Sequence, residues 1–275
     1  MRQRRRFCDI SPTCYAISVK KENYKRSLKD HLSKDRFAGR FQDDPLPNLV
    51  CAHSFELIKT GPGIDLTLQE NKAVNIELAS ACISGLIIHP GEVFSFWRLV
   101  GKPTEKRGYK NGREIVGNRI VPGVGGGLCN LGHAIHRLVL HSPLEVTEFH
   151  SHSDALGPDE GPRFPFDSGT SVCYNHMDLR FRNTTDQDVQ LLAWCRGGRS
   201  YAQLRSRRPF PWRYSLVEED LHFRKEGDKY YRNSRVYRET VEKETGTAIR
   251  RELVLDNRSE VLFDYALIPR DQIRK

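Results

Sequence analysis

The chain has no apolar run approaching the roughly 18–20 residues that cross a bilayer, so no transmembrane helix is expected. Its basic start, Met1-Arg-Gln-Arg-Arg-Arg, resembles the n-region of a signal peptide. The apolar h-region that should follow is missing, because Cys8, Asp9, Ser11, Pro12 and Thr13 intervene. The expectation is a soluble, cytoplasmic protein. There is no CxxC pair, and the seven cysteines, at 8, 14, 51, 82, 129, 173 and 195, are odd in number and irregularly spaced. Without a secretion signal that pattern argues for reduced thiols rather than a disulfide framework. No RNP-type aromatic pattern, helix-turn-helix spacing or Cys/His finger is present, which excludes a specific nucleic-acid partner by any of those routes. Internal repeats and low-complexity tracts are also absent.

What is present is charge at one end. The formal net charge is +9, yet residues 1–40 hold twelve Lys/Arg against four Asp/Glu, and the remaining body is nearly neutral. Such an arm is read as solvated and partly mobile, suited at most to weak contact with an anionic surface. The body, within 275 residues of 38% hydrophobic content, can bury a sizeable core.

Periodicity places the elements. A short helix is expected around Asn23 to Ser33, and the turn-rich DDPLPN then marks a boundary. LVCAHSFELI has strand composition. From Asn71 to Leu86 the apolar positions Val74, Leu78, Ala81, Cys82, Gly85 and Leu86 recur at helical spacing, HPGE breaks the run, and VFSFWRLVG alternates as a strand. After the glycine cluster GVGGG, residues Leu131, Ala134, Ile135, Leu138 and Val139 make one helical stripe, stopped at Ser142-Pro143. Leu144 to His152 alternates as a strand, which puts Glu148, His150 and His152 on one face. TSVCYNHMDLRFRN and DVQLLAWC are read as a hairpin around NTTDQ, and the runs from about Pro209 onward as antiparallel strands.

This places Cys129 at the start of a helix. There a cysteine meets unpaired backbone N–H groups and a partial positive charge that favour its thiolate. The preceding glycines let a substrate backbone approach, and their N–H groups are suited to an oxyanion. His150 or His152 would serve as base, with Asp154, Asp159 or Asp167 to orient the imidazole, in the chain order Cys, His, carboxylate. A packing explanation carries equal weight: glycine turns before helices are often structural, and Cys82 and Cys195 already behave as small hydrophobes in apolar runs. His133 and His136 are read as a partly exposed helix face rather than as ligands. A metal reading comes third, because His150-Ser-His152-Ser-Asp154 has the HxHxD spacing of binuclear hydrolases, but Ala155 stands where a further histidine would follow.

The stretches NKAVNIELASACISGLIIHPGEVFSFWRLVG, GVGGGLCN, PLEVTEFHSH and MDLRFRNTTDQDVQLLA, spanning about Leu66 to Ala193, resemble the VanW family. The family takes its name from an accessory protein of vancomycin-resistance operons, and VanW domains in some exported clostridial proteins are similar in role to L,D-transpeptidases. The resemblance implies a nucleophile at Cys129 and points to His150 and His152. Three positions depart from the family pattern: Asn130 replaces the usual Gln, Glu148-Phe149-His150 replaces Glu-Arg-His, and Asp167 lies in PFDSGTSV, a longer version of the family's aspartate segment.

The resulting expectation is an α+β protein: an antiparallel sheet with a few packed helices and a cysteine at the N-terminus of a central helix. A basic segment (1–45) precedes a VanW-like domain (46–205), and a small β-rich segment (206–275) follows. The expected activity is thiol-dependent acyl transfer or peptidase action on peptidoglycan-type peptides. Cys129, His150, His152 and Asp167 would be catalytic, and Gly125, Gly126, Gly127 and Asn130 would line the substrate. No cofactor or metal is called for. The alternative is a non-catalytic peptide-binding or accessory protein.

Overall fold

Ser11 begins the first helix by accepting a hydrogen bond from the Cys14 N–H at 3.2 Å, with proline at the first helical position, and α1 runs over Pro12–Leu32. The computed structural model describes residues 7, 10–61, 64–116, 119–152, 154–155, 165–166 and 169–274. α1 is twice the length that periodicity predicts and is no loose arm. Arg26 pairs with Glu148, Asp30 with Arg180, and the Asn23 carbonyl accepts from Asn175, so ion pairs fasten the helix to the body.

The remaining elements follow as β1 (Arg40–Phe41), β2 (Asn48–Glu56), α2 (Leu66–Ala81), β3 (Leu86–Ile88), β4 (Val93–Ser95), α3 (Phe96–Val100), β5 (Asn111–Val116), β6 (Arg119–Val124), α4 (Leu128–Leu140) and β7 (Glu145–Glu148). Then come β8 (Asp154–Ala155), β9 (Arg180–Arg182), β10 (Val189–Arg196), β11 (Arg199–Ser206), β12 (Trp212–Glu226), β13 (Lys229–Glu242), β14 (Ala248–Val261) and β15 (Ile273–Arg274). The fold is α+β with mostly antiparallel sheets. One sheet has the order β1-β3-β10-β11-β2, a second β4-β9-β7, and β5-β6 is a separate hairpin. The long meander β12-β13-β14 forms a further sheet, edged by β15 and by β8 from the body.

α4 packs its apolar stripe onto this framework. Leu131, Ala134, Ile135, Leu138 and Val139 are all buried, as their spacing predicts, and each large side chain stabilises the fold by roughly 1.5–3 kcal/mol. Phe94 and Phe181 stack at 4.5 Å between β4 and β9, and Ile76, Ile83 and Ile88 complete the centre.

Three expectations fail for physical reasons. VFSFWRLVG is not one strand: the Ser95 side chain accepts from the Arg98 N–H and caps α3. β9 and β10 do not pair across NTTDQ. Asn183 is buried and donates to the carbonyls of both Ile88 and Gln187, which turns the chain from one sheet into another. The buried face of α2 is not the apolar stripe through Val74 and Ala81. It begins with Gln69, Lys72 and Asn75, and Ala81 is exposed.

Candidate functional site

The glycine turn is built by its neighbours. Gly125 (φ 88°) and Gly127 (φ 97°) occupy the left-handed region, where a side chain is strained. At Gly126 the reason is proximity: a Cβ there would sit 2.4 Å from the Gly112 carbonyl carbon. Asn75, fully buried, donates to the carbonyls of Lys110 and Gly126 at 2.9 Å each and accepts from the Lys110 N–H at 2.8 Å. Lys72 lies across Gly127, its Cγ 2.0 Å from where a Cβ would be. The polar stripe of α2 thus clamps the turn that feeds α4. Apolar periodicity could not find it, although the residues stand in the NKAVN run.

Gly127 caps α4, and Cys129 is the second residue of that helix. The Gly125 N–H is donated to the Lys110 carbonyl and the Gly126 N–H to that of Gly123, so neither is free for a substrate oxygen. Among the described residues the Gly127 N–H has no acceptor. The Asn130 N–H turns back to Gly127.

The Cys129 sulfur faces Val172. It accepts the Val172 N–H at 3.4 Å and lies 3.6 Å from the Val172 carbonyl. Burial pushes the thiol pKa up, and the nearby Cys173 and Glu114 add to this against the opposing Val172 N–H. This burial acts against the thiolate expected at a helix terminus. Some of the residue still reaches solvent.

The histidines of FHSH separate. β7 ends at Glu148, so the shared strand face does not extend to them. His150 Nε2 lies 3.2 Å from Glu148, which is itself held by Arg26. His152 Nδ1 lies 3.2 Å from the Ser171 hydroxyl, and its ring covers Gly169, where a Cβ would meet it at 2.7 Å. The Ser171 N–H is donated to the His150 carbonyl, and Ser151 bridges Thr170. Segment 169–172 thus runs between His152 and Cys129, with Ser171 holding one and Val172 the other. Among the described residues no hydrogen bond joins Cys129 to either histidine directly. Asp167 and Asp159 lie outside the described residues, and Asp154 is in β8, opposite Glu260.

Two histidines of α4 and one carboxylate of β5 complete the surroundings. His133, one turn beyond Cys129 on α4, stacks on Phe166 at 5.5 Å, and its Nδ1 is buried without a partner among the described residues. Burial, then the charges of Arg137 and the neighbouring histidines, lowers its pKa well below the usual value. His136 is fully buried, bonded to Thr170 at 2.9 Å and lowered by burial to about 3. His133 keeps the partial exposure expected of it, whereas His136 does not lie on a partly exposed face. Glu114 lies over Gly123 and within electrostatic range of Cys129 and Cys173, and burial raises its pKa. Among the described residues no group of three His, Cys, Asp or Glu is placed to hold a metal ion, and no helix is long and apolar enough to cross a membrane.

Comparison with known proteins gives this site a context. Residues 71–205, from the α2 clamp through β11, match the family model described as VanW like protein. The chain is 26% identical over 227 residues to the vancomycin B-type resistance protein VanW of Enterococcus faecalis, covering 82% of each. It is 30% identical over 129 residues to the uncharacterized protein YoaR of Bacillus subtilis, covering 47% of this chain and 41% of that one. No solved structure matches significantly. The matched region contains the whole constellation of Asn75, the glycine turn, Cys129, His152 and segment 169–172, and the chain belongs to the VanW family.

Proposed function

We propose that the chain is a thiol-dependent acyltransferase or peptidase acting on peptidoglycan-type peptides, with a role in glycopeptide resistance like that named for its Enterococcus relative. The observation that carries this reading is the hold of one segment on both groups: Val172 on the Cys129 sulfur and Ser171 on His152. Cys129, at the first turn of α4, attacks the substrate carbonyl as His152 takes the thiol proton. His152 then returns that proton to the leaving amine, leaving a thioester. Water or a second amine takes the acyl group and regenerates the thiol. The Gly127 N–H and the Asn130 side chain are the donors available to the oxyanion. His150 is assigned to the Glu148 network, and Asp167 keeps the role of orienting the base. Acting in the cytoplasm, the protein would meet nucleotide- or lipid-linked precursors.

The test is incubation with muropeptides containing D-amino acids, followed by intact-mass spectrometry. A covalent adduct on the native chain that is lost in Cys129→Ser is expected. Absence of any adduct, with iodoacetamide labelling that follows thiol exposure alone, overturns the reading.

The raised thiol pKa favours a second reading, a non-catalytic peptide-binding or accessory protein in which Cys129 ties α4 to segment 169–172. Muropeptide binding that survives Cys129→Ser without adduct formation is its signature.

A further inference from the structure

Behind the glycine turn the buried Lys72 lies within electrostatic range of Arg113 and of Lys59, an exposed residue. Lys72 on α2 is 4% exposed, and its ammonium makes one hydrogen bond, to Gln69 Oε1 at 2.6 Å. The same Gln69 oxygen accepts the Lys59 backbone N–H at 3.3 Å, which brings the start of the β2–α2 connection against the end of the Lys72 side chain. Arg113 reaches the cluster from β5, whose first residue is bound to α2 through the Asn71 side chain and the Asn111 carbonyl. The Arg113 Nε is buried and has no partner among the described residues. Glu114, the adjacent carboxylate, points to the opposite face of β5, toward Cys129.

A lysine usually keeps its ammonium in water and buries only its stem, and a buried charge is retained where something compensates it. Lys72 does neither. Two of its three donors are unused, and among the described residues no carboxylate pairs with Lys72, Lys59 or Arg113. Like charges held together are mutually unfavourable, and Lys59 and Arg113 both act to discharge Lys72.

We propose that Lys72, Arg113 and Lys59 form a binding site for an oxyanion, a carboxylate or phosphate group of a ligand that reaches the turn before Cys129. The unused donors of the Lys72 ammonium and the Arg113 guanidinium match the oxygens of such a group, and the exposed Lys59 adds positive charge at its edge. The site does not depend on Cys129 being a nucleophile. If the acyl-transfer reading holds, it is where the charged end of the peptide or its phosphate-bearing carrier is held.

Thermal unfolding of the full chain tests this, with sodium chloride replaced at constant ionic strength by sodium phosphate or sodium acetate. The expected result is a rise in Tm that saturates with one anion or the other, and which anion does so distinguishes a phosphate from a carboxylate ligand. The shift should persist in Cys129→Ser, so its failure is separable from failure of the catalytic reading. In the double variant Lys59→Gln/Arg113→Gln, which leaves the buried Lys72 in place, apparent affinity should fall roughly tenfold or more. In a lysine-labelled sample, the NMR titration of the Lys72 ammonium should move to higher pH as the anion is added. No saturable shift with either anion, or an equal shift in the double variant, overturns the proposal.

Discussion

Arg26 of α1 and Glu148 of β7 meet through both prongs of the guanidinium, each N–O contact at 2.5 Å, across 122 positions of sequence. Glu148 also faces His150 and accepts the Asp178 N–H. One carboxylate therefore joins the N-terminal helix, the FHSH run and the segment leading into β9. This is how a chain end that looks like a free basic arm becomes part of the body.

Arg26→Ala leaves that carboxylate partly buried without its main partner. The expected loss of stability is roughly 2–3 kcal/mol, at the low end for a buried pair because both side chains keep some contact with water. Urea unfolding at neutral pH measures it, and a change within error shows that α1 does not contribute.

The same pair sets an acid limit. Burial works to raise the Glu148 pKa, but the hydrogen bonds from Arg26 and His150 prevail and hold it at about 2, below its usual 4.5. A depressed carboxylate contributes stability above its unfolded pKa and loses that contribution as pH falls toward its folded one. Unfolding free energy should therefore drop between pH 4.5 and about 2, with a shallower slope in Glu148→Gln.

The two glycines before α4 should respond differently to alanine. At Gly127 the added Cβ meets the Lys72 stem, which can move, although the left-handed backbone remains strained. At Gly126 it meets the Gly112 backbone, which cannot move without parting the hairpin from α4. Both should destabilise, Gly127→Ala by roughly 2 kcal/mol and Gly126→Ala by more, so that the hairpin loses amide protection first. Equal effects in hydrogen exchange would mean that backbone strain alone governs the turn.

The α4 stripe was legible because its apolar positions carry a helical period, and the glycine cluster marked where the helix begins. The face of α2 was not. Gln69, Lys72 and Asn75 are buried for the sake of hydrogen bonds and a close glycine approach, which hydrophobic spacing does not register. Cys129 could be found from its position, but its protonation could not, since that depends on residues 172 and 173, more than forty positions away. His150 and His152 have the same identity and nearly the same position in sequence. Only their contacts in the folded chain, His150 with Glu148 two positions before it and His152 with Ser171 in a later segment, tell them apart.

That separation predicts opposite phenotypes. His152→Gln should abolish adduct formation on Cys129 while leaving unfolding nearly unchanged. His150→Gln should shift unfolding, through Glu148, and keep the adduct. Mass spectrometry and thermal unfolding on the same samples decide the matter, and a common phenotype for both variants removes the assignment of His152 as base.

Lys72 offers a test of how much an uncompensated charge costs the free protein. Burial first, then the charges of Lys59 and Arg113, lowers its pKa from 10.5 to about 8, a difference corresponding to roughly 3 kcal/mol between the charged and neutral forms. The group is protonated more readily unfolded than folded, so in anion-free buffer stability should rise with pH between about 8 and 10.5. Lys72→Met keeps the stem over Gly127 and removes the charge. It should therefore stabilise the chain at pH 7 by an appreciable part of that figure and flatten the alkaline rise. Added phosphate or acetate, if bound here, should narrow the gap between the native chain and Lys72→Met by stabilising the native chain alone. A variant that is less stable than the native chain in anion-free buffer would show that the Gln69 bond already compensates the ammonium, and that the fold has no charge left there for a ligand to neutralise.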